Sequence, residues 1–190
     1  MSRSRSFFIA VALTIVAGGA RAAAAPPEGT ELIGTVAPGW DIPEWIGSRP
    51  VAWPDLRGKA VLVRWFTSAE CPFCHASAPV LNRFHRDYAK RGLVVIGMYH
   101  HKRPEPLTLD AVRATVRDYG FEFPVGVDRD WKTLNRWWLG SRKRDFTSVS
   151  FLVDRRGVIR HIHPGGTSDL WKSGGPALQK KVEQLLVESP

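Results

Sequence analysis

Two cysteines three positions apart constrain this chain more than any other feature of its sequence. Cys71 and Cys74 are the only cysteines among the 190 residues. An apolar run at 60–66 leads into them, and apolar side chains at helical spacing follow, from Leu81 to Tyr88. This order predicts a buried strand, a tight turn and a helix whose first turn holds both cysteines.

The start of a helix is a favourable place for a reactive thiol. Its unpaired N–H groups and the positive end of the helix dipole stabilise a thiolate at Cys71. Cys74 lies one turn inside, near enough to close a disulfide with Cys71. A bridge across so short a loop removes little chain entropy, so it would stabilise the fold only weakly. The spacing therefore predicts a redox-active pair, with metal or haem binding and a purely structural bridge as the alternatives.

The composition fits one globular domain with a substantial core. Hydrophobic residues make up 44% of the chain, and the formal net charge is +9. The basic residues are scattered and no nucleic-acid fold signature accompanies them, so we expect no nucleic-acid partner.

The first 25 residues have the pattern of a secretory signal. Two arginines precede an apolar stretch at 7–17, which is too short for a comfortable membrane span, and a small-x-small site ends at Ala22. We expect a signal peptide at 1–25, cleaved near Ala22, followed by one domain at 26–190. The domain would then be periplasmic or secreted, where a cysteine pair can cycle. An uncleaved N-terminal membrane anchor is the alternative.

The rest of the chain alternates between strand and helix patterns. Pro79 lies inside the cysteine helix and should interrupt its hydrogen bonding, and Thr108 can cap the next helix. The predicted strands are at 50–53 (a short edge strand), 60–66, 93–99, 123–127, 148–154 and 158–163. The predicted helices are at 72–91, 109–119, 131–139 and 176–187.

These elements resemble the thioredoxin-fold redoxin family, in particular the TlpA-like periplasmic thiol–disulfide oxidoreductases, which are related to the AhpC/TSA-type redoxins. The resemblance rests on residues 56–59 with the strand after them, on 71–74 with Pro79, and on the hairpin at 151–159. It implies an α/β fold of three layers, α/β/α, with a central mixed sheet whose last two strands form an antiparallel hairpin. It also implies a redox-active disulfide without another cofactor.

The same resemblance implies the partners. We expect exchange with protein thiols or disulfides, a membrane electron donor as a further candidate partner, and a monomer or weak dimer.

Four positions depart from the family pattern. Two of them are serines. Ser148 stands where the family has a cis-proline, and Ser77 stands where many members have a buried glutamate. Arg64 or Trp65 takes the place of an acid or amide on the strand before the motif, and Glu70 replaces a tryptophan before the first cysteine. Neither acid–base group of the family is therefore in its usual place.

The candidate catalytic residues follow from these departures. Cys71 is the predicted nucleophile and Cys74 the resolving cysteine, while Glu70 and His75, next to them, are the candidates for proton transfer. The bond before Ser148 should be trans, because a cis bond before serine costs about 3 kcal/mol. Its hydroxyl or N–H could then donate a hydrogen bond to a thiolate.

A thiol peroxidase with Cys71 as peroxidatic cysteine is one alternative. Peroxiredoxins need a Pro-x-x-x-Thr/Ser-x-x-Cys pattern around the peroxide. Ser68 fits the hydroxyl position, but Arg64 stands where the proline belongs, and Ser148 stands where these enzymes usually have an arginine.

A metal site is the other alternative. Cys71-x-x-Cys74-His75 matches c-type haem attachment, although the strand and helix around it leave little room for a porphyrin. Copper or zinc is the better candidate, because thiolate and imidazole suit these ions and two strands should end beside the cysteines. The imidazoles would be those of His100, His101 and His163.

Overall fold

The computed structural model describes residues 27–68, 70–140, 143–165 and 175–188. The predicted signal peptide lies outside these residues. Within them, no helix has both the length and the apolar character needed to cross a membrane.

A mixed sheet of six strands organises the chain, with the order β1-β4-β3-β2-β5-β6. The parallel strands β2, β3 and β4 lie side by side, and the pairings β1–β4, β2–β5 and β5–β6 are antiparallel. The predicted mixed sheet with a terminal antiparallel hairpin is confirmed. The strands are β1 Trp45–Ile46, β2 Ala60–Phe66, β3 Leu93–His100, β4 Val125–Asp128, β5 Val149–Val153 and β6 Ile159–Pro164.

Three helices connect strands in the described chain, and a fourth follows the last strand. The cysteine helix contains Pro79, and the Thr108 side chain caps the second helix by accepting a hydrogen bond from the Ala111 N–H at 3.2 Å. The third helix is a single turn that continues as a π-helical turn at Asn135–Leu139. The helices are α1 Pro72–Tyr88, α2 Leu109–Asp118, α3 Lys132–Leu134 and α4 Pro176–Val187.

The helices pack on both faces of the sheet, which gives the predicted three layers. Side chains of β2 alternate, so Leu62 and Phe66 pack in one cluster with α1, α2 and α4. Val63 and Trp65 pack on the opposite face with α3 and its π-helical turn. We call these the cysteine face and the tryptophan face.

All seven tryptophans of the described residues belong to the tryptophan face: Trp40, Trp45, Trp53, Trp65, Trp131, Trp137 and Trp138. Several of their rings are in direct contact, with Trp40 and Trp53 centroids 4.7 Å apart and Trp53 and Trp137 centroids 5.4 Å apart. Large aromatic surfaces therefore fill this half of the core.

Two sequence predictions need correction. The edge strand predicted at 50–53 is wrong: Trp53–Leu56 forms a 3₁₀ turn, and the edge strand is Trp45–Ile46, which pairs with β4. Pro54 favours the first turn of a helix and cannot donate to a strand ladder. The strand predicted at 123–127 begins later, at Val125, because Pro124 has no N–H to donate.

Candidate active site

The two cysteines form a disulfide at the start of α1. Their Cα atoms are 5.3 Å apart, and Cys71 is the residue that caps the helix, with its Sγ accepting a hydrogen bond from the Cys74 N–H at 3.2 Å. The chain reaches this position because β2 ends directly before the turn, and Pro72 then occupies the first helical position, where its missing N–H has no cost. The sequence prediction of strand, turn and cysteine helix is confirmed.

The two sulfurs differ in exposure. Cys71 is partly exposed, whereas Cys74, in the first turn of α1, is fully buried. Only the Cys71 sulfur is therefore open to a partner, and a Cys71 thiolate would lie against the free N–H groups of the helix start.

Tyr119, at the end of α2, fixes the turn between β2 and the cysteines. Its hydroxyl donates to the carbonyl oxygens of Ser68 at 2.5 Å and Thr67 at 3.3 Å. Burial raises the pKa of the Tyr119 hydroxyl, so it stays protonated and keeps donating. The sequence predicted Tyr119 only as the last residue of a helix, because a contact across some 50 positions of sequence leaves no local signal.

Ser148 lies directly beside the disulfide. Its Oγ is 3.5 Å from the Sγ of Cys74, and the peptide bond before it is trans, as no cis bond occurs in the described chain. The trans prediction is confirmed. The serine hydroxyl thus contacts the buried sulfur and not the exposed one.

The two residues predicted for proton transfer lie at the surface. The carboxylate of Glu70 pairs with Arg103 at 2.7 Å, and the hydrogen bond from the Ser68 hydroxyl is the main cause that lowers its pKa. His75 is exposed on α1, where its ring lies edge-on to the Tyr119 ring with centroids 5.6 Å apart. Neither side chain hydrogen-bonds a cysteine sulfur among the described residues.

Two buried polar residues occupy the family's acid positions. The Ser77 hydroxyl donates to the Cys74 carbonyl at 2.9 Å. Arg64 is buried in β2 and donates from Nη1 to the Ser150 hydroxyl at 3.3 Å. Trp65, the other residue considered for this place, points to the opposite face.

The histidines considered as metal ligands are engaged elsewhere. His100 is buried with its Nε2 2.8 Å from the Thr147 hydroxyl, and burial lowers its pKa to about 3. It follows Tyr99, a cysteine-face residue, along β3, so its side chain points to the tryptophan face. His101 bonds the Tyr99 hydroxyl and the Glu105 carbonyl, and His163 is buried in β6 opposite Ser150.

The described residues therefore lend no support to the copper or zinc alternative. They include no group of three or more His, Cys, Asp or Glu side chains close enough to hold a metal ion. Side chains of β3 alternate between the two faces of the sheet. His100 is therefore at the end of β3 where a ligand was considered, but its side chain points away from the cysteines.

A groove of about 240 Å³ opens beside Cys71. Two exposed aromatic side chains, Phe73 and Phe146, border it, and each has about 40% of its surface exposed. The remaining lining is polar or charged, and consists of Thr67, Lys102, Asp145, Thr147 and Ser148. The exposed sulfur thus lies in an open groove that two exposed aromatic side chains border.

Residues 33–162 match the family model described as the AhpC/TSA family. The chain belongs to the AhpC/TSA family. Its three-layer arrangement is the thioredoxin-like fold, since it superposes with a TM-score of 0.65 on the crystal structure of the thioredoxin-like superfamily protein SPOA0173. That structure is 26% identical, and the match covers 81% of this chain and 97% of the other.

The chain is also similar to two curated relatives. The thiol-disulfide oxidoreductase ResA of Bacillus thuringiensis is 28% identical over 127 residues, which cover 67% of this chain and 66% of ResA. Protein DipZ of Mycobacterium bovis is 28% identical over 119 residues, which cover 63% of this chain but only 16% of DipZ. The matched region is thus about a sixth of the length of DipZ.

Proposed function

We propose that this chain is a thiol–disulfide oxidoreductase whose Cys71–Cys74 pair exchanges with the thiols or disulfides of partner proteins. The observation that carries the proposal is the unequal pair at the helix start, with one sulfur open to a groove and the other buried behind it. The AhpC/TSA assignment and the likeness to a relative named as a thiol-disulfide oxidoreductase support it.

The exchange proceeds in two steps. A partner thiolate attacks the Cys71 Sγ, the bond to Cys74 breaks, and Cys74 leaves with the electron pair as a thiolate. A second partner thiolate then attacks the partner's own sulfur in the mixed disulfide and releases the Cys71 thiolate. The partner is oxidised, the pair is reduced, and the two partner thiols have lost their protons to water. The reverse sequence reduces a partner disulfide.

The groove supports a polypeptide as the partner. Phe73 and Phe146 offer apolar contact in the groove that holds the exposed sulfur, and Lys102 and Asp145 add one charge of each sign. An extended segment with an apolar side chain next to its cysteine would match this surface. The exposed aromatic rings would supply most of the contact area.

The proposal extends to where the protein is located and to what exchanges electrons with it. The charged, apolar and small-residue pattern of positions 1–25 supports export to the periplasm or beyond, with a membrane protein as the source or acceptor of electrons. N-terminal sequencing of the protein recovered from cells tests export, because an intact Met1 on a cytoplasmic protein would contradict it.

The direct test is exchange with a model protein disulfide. The purified chain should catalyse reduction or oxidation of that disulfide. Cys71→Ser should abolish turnover, and Cys74→Ser should accumulate a mixed disulfide at Cys71, because the resolving sulfur is missing. Ser48→Ala, at an exposed serine, is the control and should behave as the parent.

Retained turnover in Cys71→Ser would overturn the assignment of the nucleophile. Peroxide consumption at ~10⁴ M⁻¹s⁻¹ or faster, with no protein exchange, would favour the peroxidase alternative instead. The structure offers that alternative little support, since Arg64 is buried and the Ser68 hydroxyl already bonds Glu70.

A further inference from the structure

Arg64 is a cation inside the core of the molecule. It lies in the middle of β2, opposite Gly97 of β3 and Ser150 of β5, and it is 1% exposed. Since Leu62 and Phe66 point to the cysteine face, Arg64 between them points there too. The charge therefore lies beneath α1, on the side of the sheet that holds Cys74.

Most of the Arg64 guanidinium has no partner. Nη1 donates to the Ser150 hydroxyl, but Nε and Nη2 make no hydrogen bond, and no carboxylate pairs with the group in the described chain. Burial lowers its pKa to about 10, so it remains charged at neutral pH. Buried charges are normally paired, because an unpaired one loses its hydration without compensation. An unpaired cation at this place indicates that its counter-charge arises at another stage of the cycle.

Ser150 and Ser148 connect this cation to the disulfide. Ser150 accepts from Arg64, and Ser148, two positions earlier, contacts the Cys74 Sγ. Ser150 is in β5, and Ser148 directly precedes that strand, about 7 Å of extended chain away. The guanidinium and the buried sulfur thus lie on the same face of the sheet, and each contacts one of these two serines.

We propose that Arg64 is a positioning residue for the exchange reaction: its buried, unpaired guanidinium stabilises the Cys74 thiolate and so raises the reduction potential of the Cys71–Cys74 pair. The proposal deepens the proposed function and rests on it. In the disulfide form the cation has no counter-charge. When the Cys71–Cys74 bond breaks, Cys74 takes the electron pair as a thiolate, and an anion forms on the face of the sheet to which the guanidinium points. No proton has to move for this pairing.

The other ionisable groups around this site leave the cation uncompensated. Tyr119 stays a neutral phenol, and His163 lies opposite Ser150 on β6. His75 and Glu70 are at the surface, and Glu70 is paired with Arg103. The anion that matches Arg64 is the thiolate that reduction creates.

The test is the equilibrium of the pair with glutathione buffers, read by alkylation and mass spectrometry. Arg64→Met and Arg64→Gln remove the charge, and each should shift the equilibrium constant toward the disulfide by about tenfold or more, or about 30 mV. Arg64→Lys should retain most of the parent potential. Arg117→Met, at an exposed arginine of α2, is the control and should not shift it.

An unchanged or higher potential in a folded neutral variant would overturn the proposal. A second measurement needs no substitution of Arg64: in Cys71→Ser, the thiolate absorbance of Cys74 is followed against pH. Arg64 should hold the pKa of Cys74 below the ordinary value of about 8.5, although burial alone would raise it. A pKa at or above that value would also overturn the proposal.

The glutathione equilibrium uses no partner protein. If the chain failed to exchange with protein disulfides, the proposed function would fail while the effect of Arg64 on the potential could still be measured.

Discussion

At the scale of single residues, the candidates for proton transfer and the groups that surround the buried sulfur are different side chains, although the two tasks are often assigned to one acid. Glu70 and His75 lie at the surface, whereas the polar groups behind Cys74 are serine hydroxyls and a guanidinium. These groups donate hydrogen bonds or positive charge and none of them accepts a proton readily. Such surroundings favour a thiolate at the buried sulfur over proton transfer to it.

Ser148 provides a prediction at this scale. Ser148→Ala removes the hydroxyl 3.5 Å from the Cys74 Sγ and should raise the pKa of the Cys74 thiol by about one unit, since a hydrogen bond to a charged group contributes about 1.5–3 kcal/mol. Alkylation rates against pH, resolved by peptide, measure this. Cys71 should alkylate first in every variant.

Ser48→Ala is the matched control for that substitution. Faster alkylation of Cys74 than of Cys71 would show that the nucleophile is wrongly assigned. Identical titrations of the parent and Ser148→Ala would show that the hydroxyl does not tune the thiol.

At the scale of elements, the end of α2 holds the loop that carries the cysteines. Tyr119→Phe removes the hydroxyl that donates to Thr67 and Ser68, and two buried carbonyl groups lose their donor. The free energy of unfolding should fall by about 1–3 kcal/mol. Urea unfolding of the disulfide form measures the loss.

Tyr88→Phe is the control, because the Tyr88 hydroxyl donates to the carboxylate of Glu183 near the surface. Its loss should cost less than about 1 kcal/mol. Equal stability of Tyr119→Phe and the parent would mean that α2 does not anchor the loop.

The elements also show how far the sequence alone leads. The bounds of β2, and the start of α1, follow from an apolar run and a Cys-Pro step, which are local signals. β1 has only two residues, which is too short for a recognisable sequence pattern. It is a strand because it pairs with β4. The π-helical turn after α3 likewise depends on how Trp137 and Trp138 pack.

The residues of the site also differ in whether the sequence alone predicts them. Cys71, Cys74 and the position of Ser148 were predictable from motif spacing and the family resemblance. The contacts of Arg64 and Tyr119 were not, because each depends on which strand or loop lies opposite it in the folded chain. Arg64 did leave one signal, a charged residue inside an otherwise apolar strand.

At the scale of the whole molecule, the buried His100 makes stability depend on pH. Burial lowers its pKa from 6.5 to about 3, so the unfolded chain binds a proton between these values and the folded chain does not. This contribution to stability is complete above pH 6.5 and is lost as the pH falls toward 3. The free energy of unfolding should drop by on the order of a few kcal/mol across that window.

Urea unfolding near pH 7.5 and near pH 5 tests this. His100→Gln should reduce the difference in unfolding free energy between the two conditions, and His101→Gln, next to it but only partly buried, should not. The same pH dependence in His100→Gln as in the parent would assign the effect to another group.

The division between the cysteine face and the tryptophan face has an optical consequence. The fluorescence of the seven tryptophans in the described residues arises from one side of the sheet, while the two cysteines pack on the other. The strands between them separate the indole rings from the two sulfurs, which can quench emission only at short range. The emission of these seven tryptophans therefore reports the packing of one layer, and thiolate absorbance reports the chemical state of the other. A single sample can thus be followed through two nearly independent signals.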